Sequence, residues 1–434
     1  MSSEIRTVVV SRPLHRPRGD EEGEELWNEE GGGHEYYGRE LNLMMICCEE
    51  NEPYGPALDT ATMFLELLCA SYERYRREDD IVDGNDASDY SERRPKGGVE
   101  DEDGGAPPLR RIRITVYHAQ RMDYPQSDAE WDGFDGIIIP GSLSAAYDTH
   151  IEWICRLLTV IRTEIREKRR KTLGVCFGHQ CFAHSFRHSS SADDYSDHRG
   201  GTGETKDESE STARGDGGSD GGLATLCSIG PVAGRRAFRL TAEGKLLLGG
   251  GAAAASTCRT KEDQVTLRND RGEETSKRSS SPKEHLEMLY TRGDMVKSLP
   301  SVGISLCGDG DLPFEACAYF ASEEDALRFR NGVVAQRNNP GMDLSASSGG
   351  RKSSSAASWP QPYAITYQAH PEYMSDTGYK VNYVNTVRAM EKRGSISHQT
   401  SRRACEDADL NYDNLLESCL DATISTGVIL GWFK

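Results

Sequence analysis

The chain has 434 residues, enough for two or three domains by length, but only 36% of them are hydrophobic and 44 are glycine. This composition indicates a folded part diluted by polar, low-complexity segments. The formal net charge of −19 would repel nucleic-acid phosphates and anionic membrane surfaces, so neither is expected as a partner.

The cysteines and the apolar runs indicate the compartment. The 12 cysteines are scattered, with Cys47 and Cys48 adjacent, which is typical of reduced thiols rather than of a disulfide framework. The apolar runs have neither the flanks of a signal peptide nor the length of a membrane-spanning helix. We therefore expect a cytoplasmic protein, and we expect no cofactor and no bound metal.

The first strand follows a polar N-terminal segment. Residues 1–40 contain one short apolar burst, Val8 to Val10, and are otherwise polar, so they are predicted to form a disordered tail. Leu41 to Cys48 form a continuous apolar run, which is typical of a central strand buried on both faces. Residues 57–76 carry apolar side chains at helical spacing.

Strand and helix patterns alternate after this helix. A polar insert at 78–108 precedes a strand at 112–116 and a second strand at 134–139. An apolar helical stripe then covers 148–170, and residues 172–175 form a further strand. This alternation predicts an α/β fold with a doubly wound, mostly parallel sheet.

Three more segments contain few apolar residues and are predicted to be disordered inserts. They are residues 188–222, 249–283 and 330–360. These inserts account for about half of the sequence between Cys176 and His370, and what remains between those residues fits one compact unit. We therefore predict a single domain over 41–434.

The segment from Thr172 to His184 predicts a nucleophile. Gly174 and Gly178 flank Cys176 at two residues on either side, where a strand-to-helix elbow requires residues without Cβ. The start of the following helix favours a thiolate, and the N–H of Phe177 is placed to donate to a developing oxyanion.

A candidate base and its orienting group lie further along the chain. An apolar strand that begins at Tyr363 ends at His370, which is followed by Pro371 and Glu372. His370 can accept and return a proton, and Glu372 can hold the other imidazole nitrogen. Together with Cys176 these residues form a Cys-His-Glu triad in outline.

These motifs resemble a known family. Gly-Val-Cys176-Phe-Gly-His-Gln180, taken with Gln-Ala-His370-Pro-Glu372, resembles the class I glutamine amidotransferases, and this resemblance implies a flavodoxin-like α/β domain with a catalytic Cys, His and Glu. The segment from Ile137 to Asp148 resembles the free-standing branch of the family, which includes γ-glutamyl peptidases.

The resemblance also implies substrate-binding residues. In the free-standing branch the loop after the third strand supplies a second oxyanion donor, which falls here on Gly141 or Ser142. Gln180 is expected to hold the amino-acid end of the substrate; the alternative is a helix residue turned to solvent. One segment departs from the family, because Arg292 stands where a His often precedes Asp294 by two residues. This difference is expected to alter the substrate pocket.

The predicted function is therefore hydrolysis of a glutamine or γ-glutamyl amide through a Cys176 thioester. Ammonia could pass to a separate synthase subunit, or a γ-glutamyl peptidase could act without a partner. A catalytically silent binding or regulatory module is a further alternative. Two other interpretations of the motif are a buried structural cysteine and a zinc site, because Cys176, His179, Cys181 and His184 form a C-x2-H-x-C-x2-H run.

Overall fold

The computed structural model describes residues 8–14, 38–50, 55–82, 107–187, 223–249, 283–338 and 359–433. The predicted insert at 188–222 lies wholly outside these described residues, as do most of the tail at 1–40 and most of the other three inserts. The disorder predicted for these segments therefore stays a prediction.

The described residues form strands and helices that largely alternate along the chain. The strands are β1 (Val8–Pro13), β2 (Arg39–Cys47), β3 (Leu109–His118), β4 (Gly136–Ile139), β5 (Thr172–Val175), β6 (Ala224–Leu226), β7 (Val232–Arg239), β8 (His285–Arg292), β9 (Asp294–Val296), β10 (Gly303–Cys307), β11 (Ala316–Tyr319) and β12 (Ala364–Tyr367). The helices are α1 (Ala57–Val82), α2 (Asp128–Asp132), α3 (Glu152–Val160), α4 (Phe177–His184), α5 (Ala242–Leu248), α6 (Glu323–Asn338), α7 (Val384–Lys392), α8 (His398–Leu410) and α9 (Tyr412–Ile429). A 3-10 turn covers Pro371–Met374.

Eight of these strands form one sheet in the order β1-β3-β2-β4-β5-β12-β11-β10. The neighbours from β3 to β12 run parallel, whereas β1, β11 and β10 pair antiparallel at the two sides. The predicted doubly wound, mostly parallel sheet of flavodoxin-like type is therefore confirmed. The strands β7 and β8 form a separate antiparallel pair.

The central strands are apolar on both faces because each face is covered by helices. Along β2, Leu43 and Met45 belong to one hydrophobic cluster, and Met44 and Ile46 belong to the other. This alternation follows from the two-residue period of a strand. The first cluster includes side chains of α1 and α9, and the second includes side chains of α3 and α4.

The structure corrects the predicted tail in one place. Val8–Pro13, which lies within the tail predicted to be disordered, forms the edge strand β1 and pairs with β3 from Val8 opposite Val116 to Pro13 opposite Arg111. The three valines alone are too short a signal, and β1 pairs with the side of β3 that β2 leaves open. Proline is tolerated in such an edge strand because its missing N–H is not needed for pairing there.

The predicted insert boundaries also need correction. Helix α1 continues to Val82, and α6 continues to Asn338, so ordered backbone extends into the segments 78–108 and 330–360. Trp359 packs edge-on against Phe329 of α6 at a ring-centroid distance of 5.5 Å. Within the described ranges, no helix combines the length and the apolarity needed to cross a bilayer.

Candidate active site

The turn between β5 and α4 holds Cys176 in a strained backbone conformation. Cys176 has φ 50° and ψ −103°, a region that non-glycine residues seldom occupy. A Cβ on Gly178 would lie 2.0 Å from the carbonyl oxygen of Ile139, and a Cβ on Gly174 would lie 2.9 Å from Cγ2 of Thr366. Both flanking glycines are therefore required by the close approach of β4 and β12.

The elbow places Cys176 where the parallel strands end. Its backbone N–H donates to the carbonyl of Tyr367 at 2.8 Å, which extends the pairing of β5 with β12 by one residue. Its Sγ lies 4.0 Å from the carbonyl oxygen of Thr291 at the end of β8. Cys176 is buried, whereas the tip of a strand-to-helix elbow could have been exposed to solvent. Phe177 is the first residue of α4, and the N–H groups of a first helical turn have no acceptor within their helix.

The structure brings His370 and Glu372 together beside Cys176. Nδ1 of His370 lies 2.8 Å from Oε1 of Glu372, and both side chains are buried. The other ring nitrogen, Nε2, is buried and has no hydrogen-bond partner among the described residues, so it is free to exchange a proton. Burial alone would lower the pKa of His370, but the nearby Cys176 and Glu372 raise it well above its usual value. The site thus favours an imidazolium beside the sulfur.

The loop after β4 covers this pair of groups. A Cβ on Gly141 would lie 2.8 Å from Cε1 of His370 and 3.6 Å from Cβ of Cys176. The next residue is held by a buried carboxylate, because Oγ of Ser142 donates to Oε2 of Glu49 at 2.9 Å. The backbone N–H of Leu143 donates to the same oxygen at 3.0 Å. The hydroxyl of Ser142 is therefore engaged by Glu49, and Gly141 is the loop residue in contact with the imidazole.

Gln180 lies inside the protein rather than in solvent. Its Nε2 donates to Oε1 of Gln368 at 3.1 Å, and both side chains are buried. Gln368 belongs to the same segment as His370, so this hydrogen bond links α4 to the strand end that carries the imidazole. The alternative of an exposed helix residue is wrong for Gln180.

The C-x2-H-x-C-x2-H run does not form a ligand set. Nδ1 of His179 lies 2.7 Å from Oγ1 of Thr366, and Nε2 lies 2.9 Å from the carbonyl oxygen of Phe314. Both ring nitrogens are thus occupied, and burial lowers the pKa of His179 to about 3. Over the part of the chain that the structure describes, no group of three or more His, Cys, Asp or Glu residues is arranged to hold a metal ion.

The segment that departs from the family pattern contains a buried ion pair. Nη2 of Arg292 lies 3.0 Å from Oε1 of Glu315, and the Arg292 side chain is fully buried. Burial raises the pKa of Glu315 to about 7, although the nearby Arg292 acts in the opposite direction. Arg292 directly follows Thr291, whose carbonyl oxygen lies near the sulfur of Cys176. The guanidinium group of Arg292 itself pairs with Glu315.

Several residues around the site were not predicted from the sequence. They are Glu49, Thr291, Glu315, Gln368 and Tyr373. Gln368 and Tyr373 adjoin the His-Pro-Glu motif, so proximity in sequence was a signal that could have found them. Glu49, Thr291 and Glu315 come from distant elements that only the folded topology brings to the site.

Comparison with known proteins gives one family. Residues 109–220 match the family model described as Glutamine amidotransferase class-I. A putative glutamine amidotransferase of Saccharomyces cerevisiae is 36% identical over 75 residues, which cover 17% of this chain and 30% of that protein. Gamma-glutamyl peptidase 5 of Arabidopsis thaliana is 38% identical over 53 residues, which cover 12% of this chain and 20% of that protein. The chain thus spans less than a third of the length of these curated relatives.

Two solved structures align with most of the chain at low identity. A glutamine amidotransferase from Thermotoga maritima aligns over 88% of this chain and 98% of its own, at 10% identity and a TM-score of 0.41. A glutamine amido transferase from Methylobacillus flagellatus aligns over 90% of this chain and 94% of its own, at 11% identity and a TM-score of 0.40.

Proposed function

We propose that this chain, whose predicted resemblance to the class I glutamine amidotransferases is confirmed, hydrolyses a glutamine or γ-glutamyl amide through a thioester on Cys176. One observation carries the proposal. A strained elbow holds Cys176 beside His370, whose Nδ1 lies 2.8 Å from the buried carboxyl group of Glu372. This is the arrangement of a nucleophile, a base and an orienting group.

In the first half-reaction the thiolate of Cys176 attacks the γ-carbonyl carbon. The carbonyl oxygen becomes an oxyanion, which the backbone N–H of Phe177 and that of Gly141 or Ser142 stabilise as hydrogen-bond donors. The imidazolium of His370 then gives its Nε2 proton to the leaving amine. The C–N bond breaks, and the γ-glutamyl group remains on sulfur as a thioester.

In the second half-reaction His370 acts as the base. Its neutral Nε2 accepts a proton from a water molecule, the water oxygen attacks the thioester, and the C–S bond breaks to release glutamate and the thiolate. Glu372 accepts the hydrogen bond from Nδ1 in both half-reactions, which fixes the tautomer and stabilises the imidazolium. Gln180, tied to Gln368, is assigned to the amino-acid end of the substrate.

The identity of the leaving group separates two forms of this activity. An amidotransferase releases ammonia from glutamine and passes it to a synthase on another chain, whereas a γ-glutamyl peptidase releases an amino acid or peptide without a partner. The presence of a gamma-glutamyl peptidase among the relatives supports including the second form. The alternative class is a silent module that binds a partner and cleaves nothing.

Thiol chemistry supports Cys176 as the nucleophile. Burial raises the pKa of Cys47 and of Cys69 to about 12, and it raises the pKa of Cys181 well above its usual value. These thiols therefore stay protonated at neutral pH and are poor nucleophiles. We expect iodoacetamide to label Cys176 before them, as peptide mapping of a partial reaction can show.

The test is to incubate the purified chain with glutamine, glutathione and γ-glutamyl dipeptides and to measure glutamate, ammonia and the released amine. Cys176→Ala should abolish glutamate release, whereas the matched control Cys181→Ala, which alters a buried cysteine of the helix that follows Cys176, should retain it. Ammonia from glutamine alone points to the amidotransferase form, and release of amino acids or peptides points to the peptidase form. Absence of glutamate release by the parent from every compound would favour the binding module.

A further inference from the structure

Tyr373 lies against the face of the candidate catalytic imidazole. The ring centroids of His370 and Tyr373 are 4.3 Å apart, and the ring planes differ by 9°. Both side chains are fully buried, and Tyr373 occupies the 3-10 turn that directly follows His370. A parallel ring at this distance restricts rotation of the imidazole about its side-chain bonds.

The hydroxyl of Tyr373 fixes this ring to the strand beside the nucleophile. It lies 2.9 Å from Oγ1 of Thr291, whose carbonyl oxygen lies 4.0 Å from Sγ of Cys176. On the same strand, the carbonyl of Leu289 accepts a hydrogen bond from the backbone N–H of His370 at 3.0 Å. Tyr373 thus connects the imidazole, the 3-10 turn and the end of β8 in one contact network.

The ring stacked on His370 is a neutral π-system. Burial raises the pKa of Tyr373, so the phenol stays protonated at neutral pH. A cation over the face of a desolvated aromatic ring is stabilised. The other titratable groups at His370 are Cys176 from the elbow and Glu372 from its own turn, and Cys419 of α9 faces Glu372 with a thiol kept neutral by a raised pKa. Strand β8 contributes Leu289 and Thr291, which do not titrate.

We propose that Tyr373 is a positioning residue that holds the imidazole of His370 in the orientation shared by Cys176 and Glu372 and stabilises its protonated form. The proposal rests on the function proposed above only for the role of the imidazole in turnover. The ring stack would favour the thiolate–imidazolium pair, and the hydroxyl contact with Thr291 would set the angle of the stack.

Two substitutions separate these contributions. Tyr373→Leu removes the ring, and Tyr373→Phe keeps the ring but removes the contact with Thr291. The pH dependence of Cys176 alkylation by iodoacetamide and an NMR titration of labelled His370 are measured for both variants and for the parent. Neither measurement needs a substrate, so failure of the proposed hydrolysis and failure of this proposal can be told apart.

We expect Tyr373→Leu to lower the pKa of His370 by about one pH unit, the tenfold effect expected of a cation over a buried ring, and to move the acid limb of alkylation upward. Tyr373→Phe should leave both the pKa of His370 and the acid limb of alkylation close to those of the parent. The matched control is Tyr379→Leu, which removes a buried ring stacked on Tyr383 rather than on His370. It should lower thermal stability without moving either titration.

The proposal would be overturned if a folded Tyr373→Leu protein showed the same His370 titration and the same pH dependence of alkylation as the parent. If that variant does not fold, fluorinated phenylalanines at position 373 keep the ring shape while withdrawing electron density from its face. Progressive fluorination should then lower the pKa of His370 stepwise. An unchanged pKa across the fluorinated series would equally contradict the role of the ring.

Discussion

A Cβ atom on Gly141 would lie 2.8 Å from Cε1 of His370, so the loop after β4 and the imidazole are in close contact. The same Cβ would lie 3.6 Å from Cβ of Cys176. This residue therefore allows the backbone of the loop to approach both Cys176 and His370. A glycine is needed here for the close approach rather than for a positive φ.

Gly141→Ala should disable the site while leaving the fold intact. The added methyl group must displace the imidazole or the loop, and a misplacement of about 1 Å can cost about 100-fold in rate. We expect kcat/KM for glutamate release to fall by that order, with the melting temperature changed little. Gly293→Ala is the matched control, because a Cβ at Gly293 would meet nothing within 4 Å. Equal activity in the two variants would contradict the close approach of Gly141 to the site.

The tether between Glu49 and the loop gives a second prediction. Ser142→Ala removes one hydrogen bond to the carboxylate but keeps the backbone N–H groups, so we expect less than about a tenfold loss in kcat. Glu49→Ala removes the acceptor of both Ser142 and Leu143 and leaves the loop unanchored. The loss in kcat of Glu49→Ala should be larger, about 100-fold, because the loop that carries the proposed oxyanion donor is no longer held in place. A greater loss in Ser142→Ala than in Glu49→Ala would show that the hydroxyl itself contacts the substrate.

The parts of this site differ in how far the sequence could reveal them. The elbow around Cys176 and the His-Pro-Glu turn are local patterns, because glycine spacing and neighbouring residues determine them. The contact between Cys176 and Thr291 joins residues 115 positions apart, and the bond between Ser142 and Glu49 joins residues 93 positions apart. Side-chain period and composition carry no information on such pairs. Strand β1 escaped prediction for the same reason, since its partner β3 is remote in sequence.

Substitutions of the proposed triad residues should reduce activity to different extents, and their effects should not be additive. Cys176→Ala should abolish glutamate release, and His370→Ala should be nearly as severe because, in the proposed mechanism, the imidazole transfers the proton in both half-reactions. The double variant should be no slower than Cys176→Ala alone. Each variant is compared with the parent by single-turnover glutamate release and by its melting temperature.

Glu372→Gln should leave a slower enzyme. The amide oxygen can still accept the hydrogen bond from Nδ1, but the charge that helps to raise the pKa of His370 is gone. The protonated form of His370, which acts as the general acid, should therefore be lost at a lower pH than in the parent. The alkaline limb of the kcat–pH profile should move to lower pH accordingly. A parental alkaline limb in this variant would exclude the assigned role of Glu372.

The ion pair of Arg292 and Glu315 predicts how stability depends on pH. Burial raises the pKa of Glu315 from its usual 4.5 to about 7, so the native state binds this proton more tightly than the unfolded chain does. The stabilising contribution is fully present below pH 4.5 and is lost as the pH rises toward 7, by on the order of 3 kcal/mol. Glu315→Gln does not titrate, so the difference in unfolding free energy between variant and parent should shift in favour of the variant over this interval. Urea unfolding at several pH values measures it, with Glu324→Gln, an exposed carboxylate of α6, as the control that should keep the parental slope. If the unfolding free energy of Glu315→Gln changed with pH as that of the parent does, Arg292 would be keeping the Glu315 carboxyl group ionised throughout the interval.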